Sequence, residues 1–179
     1  PRASGRRFPA RRLAIAGRVA GLDEAAILDA VDEALAAQVL QRGSDPESCD
    51  FVHALIRHTL YGALSPPRQV RLHRHIAETM EEVYGERAAE HAAEIAEQYH
   101  RSAALPGAER GVSYALVAAD RAAAAYARDE VATYLHMAWT LLPENDARGP
   151  RLLGRLALAL AWALRFDEAL TAAQDAANR

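Results

Sequence analysis

The stretch FVHALIRHTLYGAL, residues 51–64, links a short β-capable segment to a long helical region. It opens with two residues typical of strands and continues with residues that favour helix. Two histidines, an arginine and a tyrosine fall close together in it: His53, Arg57, His58 and Tyr61. Such a cluster suits either a catalytic site or the joint between two helical modules.

The spacing of this cluster favours the joint. His53, Arg57 and Tyr61 recur every fourth residue, which places them near one face of a helix. Catalysis would need a nucleophile or a paired carboxylate nearby, and neither is local. We expect the His53 ring to bond a neighbouring carbonyl and Arg57 to reach Asp50 or the acidic residues of the preceding helix. Tyr61 should bury its ring. The sequence therefore predicts that these three residues form a structural joint, that none of them is catalytic, and that the chain is not an enzyme.

Upstream of this stretch the pattern predicts two helices. The first runs from Pro9 to residue 20, and Gly21 ends it. Asp23 should cap the second helix, over residues 24–39, where apolar residues recur at helical spacing.

A small hairpin should follow these helices. Residues 39–42 and 49–53 are β-capable and flank the turn-rich GSDPES. Residues 54–64 form the next predicted helix, with its leucines facing inward: Leu55, Leu60 and Leu64. Helix, helix, hairpin is the order of the back half of a winged helix.

Downstream, helical periodicity continues to the end of the chain. The predicted helices cover residues 65–84, 86–104, 108–125, 129–142, 150–164 and 167–178. The last four form two hairpins, whose second helices match at an offset of 38 residues. A tetratricopeptide unit repeats every ~34 residues, with small residues in its second helix. The sequence therefore predicts an all-α-dominated chain that ends in tetratricopeptide-like hairpins.

Composition narrows the function classes. The 179 residues are 51% hydrophobic and only 6% aromatic, which favours helices packed through small side chains. A net charge of -3 gives no bulk attraction to nucleic acid or to a membrane surface. All basic residues are arginines, so lysine-dependent phosphate loops and Schiff bases are excluded.

The cysteine content and the chain ends bear on location. Cys49 is the single cysteine, so no intrachain disulfide can form and a cytoplasmic location is expected. No apolar run approaches the ~18 residues of a membrane span, so we expect no membrane partner. The chain begins at Pro1 and stops inside a predicted helix, which suggests part of a longer protein.

The stretch from Phe51 to Glu81, FVHALIRHTLYGALSPPRQVRLHRHIAETME, resembles a segment of large LuxR-type ATPase regulators and related cyclase-linked signalling ATPases. In that family the segment follows the nucleotide-binding core and precedes tetratricopeptide-type repeats. The resemblance covers roughly residues 5–145. The matching residues are Phe51, His53, Ala54, Leu55, Arg57, Leu60, Tyr61, Leu64, Ser65, Arg68, Leu72, His73, Arg74, Ile76, Ala77 and Glu78.

This resemblance implies three parts. They are a partial winged-helix-like unit over residues 1–64, a linking helix pair over 65–107, and repeats over 108–179. The first winged-helix helix, the ATPase core and the DNA-reading domain of the family are not in the sequence. We therefore expect no cofactor in this segment, with ATP bound in the upstream core. The expected partners are other domains of the same chain and a protein or small-molecule inducer on the repeats.

The resulting hypothesis is a regulatory, protein-interaction segment of an ATP-dependent transcriptional regulator. Two alternatives stay open: a directly DNA-binding winged helix and a stand-alone peptide-binding repeat scaffold. The second helix is acidic and lacks arginine, which argues against direct DNA binding. DNA is expected only through regions outside this segment.

The predicted helix over residues 65–84 carries two further groups of candidate binding residues. Arg68, Arg71 and Arg74 form a stripe that suits a solvated face, or ion pairs with Glu78 and Glu82, with weak phosphate contact as the alternative. The histidines of the same helix, at positions 73 and 75, point to different sides, so no metal site is predicted.

Overall fold

The computed structural model describes residues 10–43 and 49–178. Helices dominate, and the strands form one small antiparallel sheet. The elements are α1 Ala10–Ala20, α2 Glu24–Ala36, β1 Leu40–Arg42, β2 Cys49–Phe51, α3 Ala54–Gly62, α4 Pro66–Tyr84, a 3₁₀ segment Gly85–His91, α5 Ala92–Arg101, a 3₁₀ turn Ala108–Arg110, α6 Gly111–Ala124, α7 Arg128–Leu141, α8 Gly149–Trp162 and α9 Phe166–Ala177.

Tertiary contacts divide the chain into two compact units, Pro1–Val83 and Tyr84–Arg179. The sequence placed boundaries after residues 64 and 107 instead. The observed division falls at the end of α4, so α4 belongs almost wholly to the first unit. No helix within the described ranges combines the length and the apolar character that a membrane span requires.

The end of α1 and the start of α2 lie where local signals predict. Gly21 adopts a φ of +69° directly after α1. The Asp23 side chain accepts a hydrogen bond from the Ala26 amide at 2.8 Å and caps α2. The predicted extension of α2 to residue 39 is wrong, because Gln38 has a φ of +56° and the helix ends at Ala36. Pro9, the predicted first residue of α1, lies outside the described ranges.

The predicted hairpin is confirmed as a two-stranded antiparallel sheet. Leu40 pairs with Phe51 and Arg42 pairs with Cys49. One further hydrogen bond, from the Val52 amide to the Val39 carbonyl at 3.1 Å, extends the pairing. The turn expected at GSDPES lies largely outside the described residues.

The inward face predicted for α3 is wrong for two of its three leucines, since only Leu64, which follows the helix, is half-buried. Leu55 is 71% exposed and Leu60 is 54% exposed, whereas Ile56 and Tyr61 are half-buried. Apolar residues occur on more than one side of this nine-residue helix. The periodicity of α3 therefore does not identify its buried face. Packing against β2 and at the corner with α4 decides which side is buried.

The single helix predicted over residues 86–104 is also wrong. Gly85 ends α4 with a φ of +51°, as expected, but a 3₁₀ segment follows before α5 begins at Ala92. Ala88, Ile95 and Tyr99 are nevertheless buried as their spacing predicts. Apolar spacing alone does not separate an α-helix from a 3₁₀ turn followed by an α-helix.

The second unit contains helical hairpins, and the predicted bounds of α6 to α9 hold to within three residues. The α6–α7 and α8–α9 turns have the same geometry. Tyr126 and Leu164 both take a left-handed φ, and the residue after each donates back to the helix, Ala127 to Ala122 and Arg165 to Leu160, both at 2.9 Å.

Small side chains allow the helices of this unit to pack closely. Alanines with no exposed surface lie at its centre: Ala96, Ala115, Ala119, Ala132 and Ala138. Leucines of α8 complete the core. Consecutive helices pack together, and α7 also packs against α5. The result is two layers, with α6 and α8 in one and α5, α7 and α9 in the other.

Candidate functional site

Tyr61 lies at the corner between α3 and α4. Its hydroxyl oxygen is 2.7 Å from Nε2 of His73, which is only 8% exposed. The Gln69 amide donates to the Tyr61 carbonyl at 3.0 Å and to the Leu64 carbonyl at 3.1 Å. Tyr61 is therefore part of a hydrogen-bonded joint, with His73 and Gln69 as partners that the sequence reasoning missed.

His53 and Arg57 do not join this corner. His53 occupies the N-cap position of α3, but its side chain makes no capping hydrogen bond. Both side chains are exposed, and no hydrogen bond or ion pair connects either to another described residue. The contacts expected for them do not form. A buried oxygen of Asp50, Oδ1, has no hydrogen-bond partner in the described structure, so Arg57 does not satisfy it.

The arginine stripe on α4 is open to solvent at its start. Arg68 and Arg71 are exposed, and Arg74 is half-buried. Glu82, one expected partner of the stripe, instead lies 3.9 Å from Arg18 of α1. Phosphate contact by the exposed arginines therefore remains a sequence-based alternative.

The α4 histidines diverge as expected. His73 points into the α3–α4 corner, and His75 is exposed. Within residues 10–43 and 49–178, no three side chains of the metal-ligating types cluster as a metal ion would need.

A groove of about 230 Å³ opens between α7 and α9, and we call it the α7–α9 groove. Its floor consists of three buried leucines of α8: Leu153, Leu156 and Leu160. Its rim carries His136 and Trp139 from α7 and Glu168 and Asp175 from α9. An apolar floor beneath a polar rim is the usual composition of a side-chain binding site.

A second groove, the α5–α7 groove, has a volume of about 310 Å³ on the same layer. Glu94 and Glu130 are among its lining residues. Arg121 also lines this groove and donates from one nitrogen to the carbonyls of Ala89 at 2.8 Å and Glu90 at 3.0 Å. These bonds hold the guanidinium against backbone oxygens.

The opposite layer carries a more apolar groove between α6 and α8. Tyr126, Val131 and Trp162 line its volume of about 310 Å³. Tyr126 is 88% exposed and Trp162 is 65% exposed. Trp139, the other tryptophan of the chain, is half-buried.

Charges around the α7–α9 groove are set by short local contacts. The Glu168 carboxylate accepts two hydrogen bonds from Arg165, at 2.7 and 2.6 Å, which lower the pKa of Glu168. No ion pair joins Asp175 to any other described residue. On the neighbouring helix, burial lowers the pKa of His100, and the charges of His136 and Arg101 lower it further. The hydrogen bonds from Arg165 thus favour the ionised form of Glu168 on the rim of the groove.

Sequence reasoning missed these grooves, although one signal was visible. Apolar pairs at a spacing of four occur on α8 and α9, Leu158 with Trp162 and Phe166 with Leu170. All four side chains are exposed, and Trp162 is the one that lines a groove, between α6 and α8.

Comparison with known proteins finds no matching family model, no matching curated protein and no matching solved structure.

Proposed function

We propose that this chain is the regulatory, protein-interaction segment of a multidomain ATP-dependent transcriptional regulator of the LuxR type. It couples a nucleotide-binding switch to a helical-repeat surface that senses a protein or small-molecule inducer. The observation that carries the proposal is the element order: helix, helix, hairpin and corner, followed by a two-layer stack of helical hairpins with open grooves.

The first unit supports a winged-helix assignment. The sequence α1, α2, β1, β2 matches the back half of such a unit, and the corner of α3 with α4 follows at once. The acidic side chains of α2 are all exposed: Glu24, Asp29, Asp32 and Glu33. Because phosphate repels them, this unit serves protein contact rather than DNA reading.

The second unit supports a tetratricopeptide-like assignment. Two hairpins share one turn geometry, with Tyr126 and Leu164 at equivalent left-handed positions. Stacked hairpins of this kind leave grooves between helices of one layer, as they do here between α5, α7 and α9. The same grooves also suit the alternative of a stand-alone peptide-binding scaffold.

The coding region on either side of this segment distinguishes the regulator assignment from the stand-alone scaffold. The proposal requires a phosphate-binding loop with its lysine upstream and a helix-turn-helix downstream. Finding neither would overturn the regulator assignment and leave the scaffold.

A second measurement tests the coupling itself. In the full-length protein, removing residues 149–178 should leave ATP hydrolysis in place and alter nucleotide-dependent promoter binding. An unchanged nucleotide response would contradict the coupling role of the repeats.

A further inference from the structure

We propose that the α7–α9 groove binds an arginine or lysine side chain of a basic segment in a partner protein. The inference rests on the proposed function, which assigns the helical hairpins as the sensor surface. It adds the chemical class of the partner that this surface binds.

The floor of the groove matches the aliphatic part of such a side chain. Leu153, Leu156 and Leu160 are each at most 4% exposed and present carbon atoms only. Arginine and lysine bury their methylene stems along apolar surface and keep the charged head in a polar region. A floor of leucines beneath a polar rim offers both environments within one side-chain length.

The size of the groove favours one side chain over a free metabolite. Its volume is about 230 Å³. Sites for small organic ligands usually enclose about 300–1,000 Å³. The side chain of a docked peptide fills the smaller space, while its backbone stays on the surface.

The rim favours a cation. Asp175 contributes a carboxylate that has no ion pair in the described structure, and Glu168 contributes a second one that Arg165 partly neutralises. Trp139 adds an indole ring, the aromatic group that attracts cations most strongly. No arginine is among the groove's lining residues, and His136 is the one side chain among them that can carry a positive charge.

The neighbouring α5–α7 groove extends this preference along the same layer. Three acidic residues line it, Glu90, Glu94 and Glu130, together with Arg121 and His91. Arg87 pairs with Glu90 at 2.7 Å, so Glu94 and Glu130 contribute most to the acidic character of the groove. A segment with several basic residues can therefore meet carboxylates in both grooves. Such complementarity sets specificity and association rate more than total affinity.

The test uses fluorescein-labelled nine-residue peptides that differ only at three alternate positions, which hold arginine, lysine, norleucine or glutamate. Anisotropy should give a Kd for the arginine and lysine peptides about tenfold or more below that of the glutamate peptide, and the difference should shrink at high salt. Equal binding of the norleucine or glutamate peptide would overturn the cation assignment.

Variants then locate the site. Asp175→Asn and Glu168→Gln should each weaken the arginine peptide about three- to tenfold. Asp167→Asn removes the same charge one residue from Glu168, at a position that does not line the groove, and should leave the Kd unchanged. If all three variants changed the Kd equally, the preference for basic peptides would reflect the overall charge of the chain. That result would contradict the α7–α9 groove as the binding site.

Tryptophan resonances give an independent readout. The chain has two tryptophans, so Trp162→Phe assigns the remaining indole N–H signal to Trp139. The arginine peptide should shift that signal with the same Kd as the anisotropy. Binding without a shift would place the peptide elsewhere, and saturation by free arginine at equal affinity would overturn the peptide assignment. None of these results depends on an ATPase core, so they distinguish failure of this inference from failure of the proposed function.

Discussion

The hydroxyl oxygen of Tyr61 lies 2.7 Å from Nε2 of His73, and this hydrogen bond ties α3 to α4 across a three-residue corner. The two rings are tilted against each other, with centroids 5.7 Å apart. Of the three residues expected to form a joint, Tyr61 alone has this kind of contact. The corner therefore depends on a residue of α4 that the opening cluster does not include.

Tyr61→Phe should destabilise the first unit. The change removes one hydrogen bond from the buried His73 while keeping the ring, so we expect a loss of about 1 kcal/mol and a fall in Tm of ~2–4 °C. Arg57→Ala, one turn earlier and exposed, is the matched control and should change stability by less than ~0.5 kcal/mol. Thermal and urea unfolding followed by circular dichroism measure both. A larger loss for Arg57→Ala would show that the exposed arginine carries the joint.

Two glycines should respond oppositely to alanine. A Cβ at Gly111 would lie 2.5 Å from Cβ of Tyr99 and 2.8 Å from Cδ1 of Leu141, so the helices must move apart. We expect Gly111→Ala to cost about 1–3 kcal/mol. A Cβ at Gly154, inside α8, meets nothing within 4 Å. Gly154→Ala should therefore stabilise the protein by about 0.5–1 kcal/mol. Chemical denaturation measures the free energy of unfolding of both variants. An unchanged value for Gly111→Ala would contradict the close approach of the helices.

Acid should weaken the loop between α7 and α8. Hydrogen bonds from the Arg148 side chain and backbone lower the pKa of Asp146 from 3.8 to about 2. Because the folded pKa is the lower one, the contact stabilises the folded state above pH ~4 and is lost as the pH falls toward 2. An NMR titration of the Asp146 carboxyl should show the depressed value. Arg148→Gln should return the pKa toward 3.8, and an unchanged value would contradict this origin.

Duplex DNA should bind the chain weakly and without sequence preference. The exposed acidic residues of α2 repel phosphate, and the chain's net charge of -3 adds no attraction. The double variant Asp29→Arg, Asp32→Arg should raise non-specific affinity in a mobility-shift assay at physiological salt. Sequence-selective binding by the unaltered chain would instead favour the DNA-reading alternative.

Where the chain bends was largely readable from short sequence signals. Asp23 caps α2, and Gly21 and Gly85 end helices with left-handed backbones, as their residue types predict. Caps and glycine stops act within a few residues, so no distant partner is needed to place them. The alanine spacing of the last hairpins was equally informative, because close packing of two helices imposes it on each helix separately.

The candidate sites depended on tertiary structure. The leucines of α3 did not show which side of the helix is buried. Packing against the neighbouring elements decides this, and it leaves Leu55 exposed. The α7–α9 groove joins residues of three helices, from His136 to Asp175, and no local pattern marks such a surface. By itself, the sequence determined the helix-dominated fold, the Asp23 cap, the glycine stops and the small-residue core. Only the packing of distant helices decided which side chains face one another, because burial and grooves arise from contacts between segments far apart in the chain.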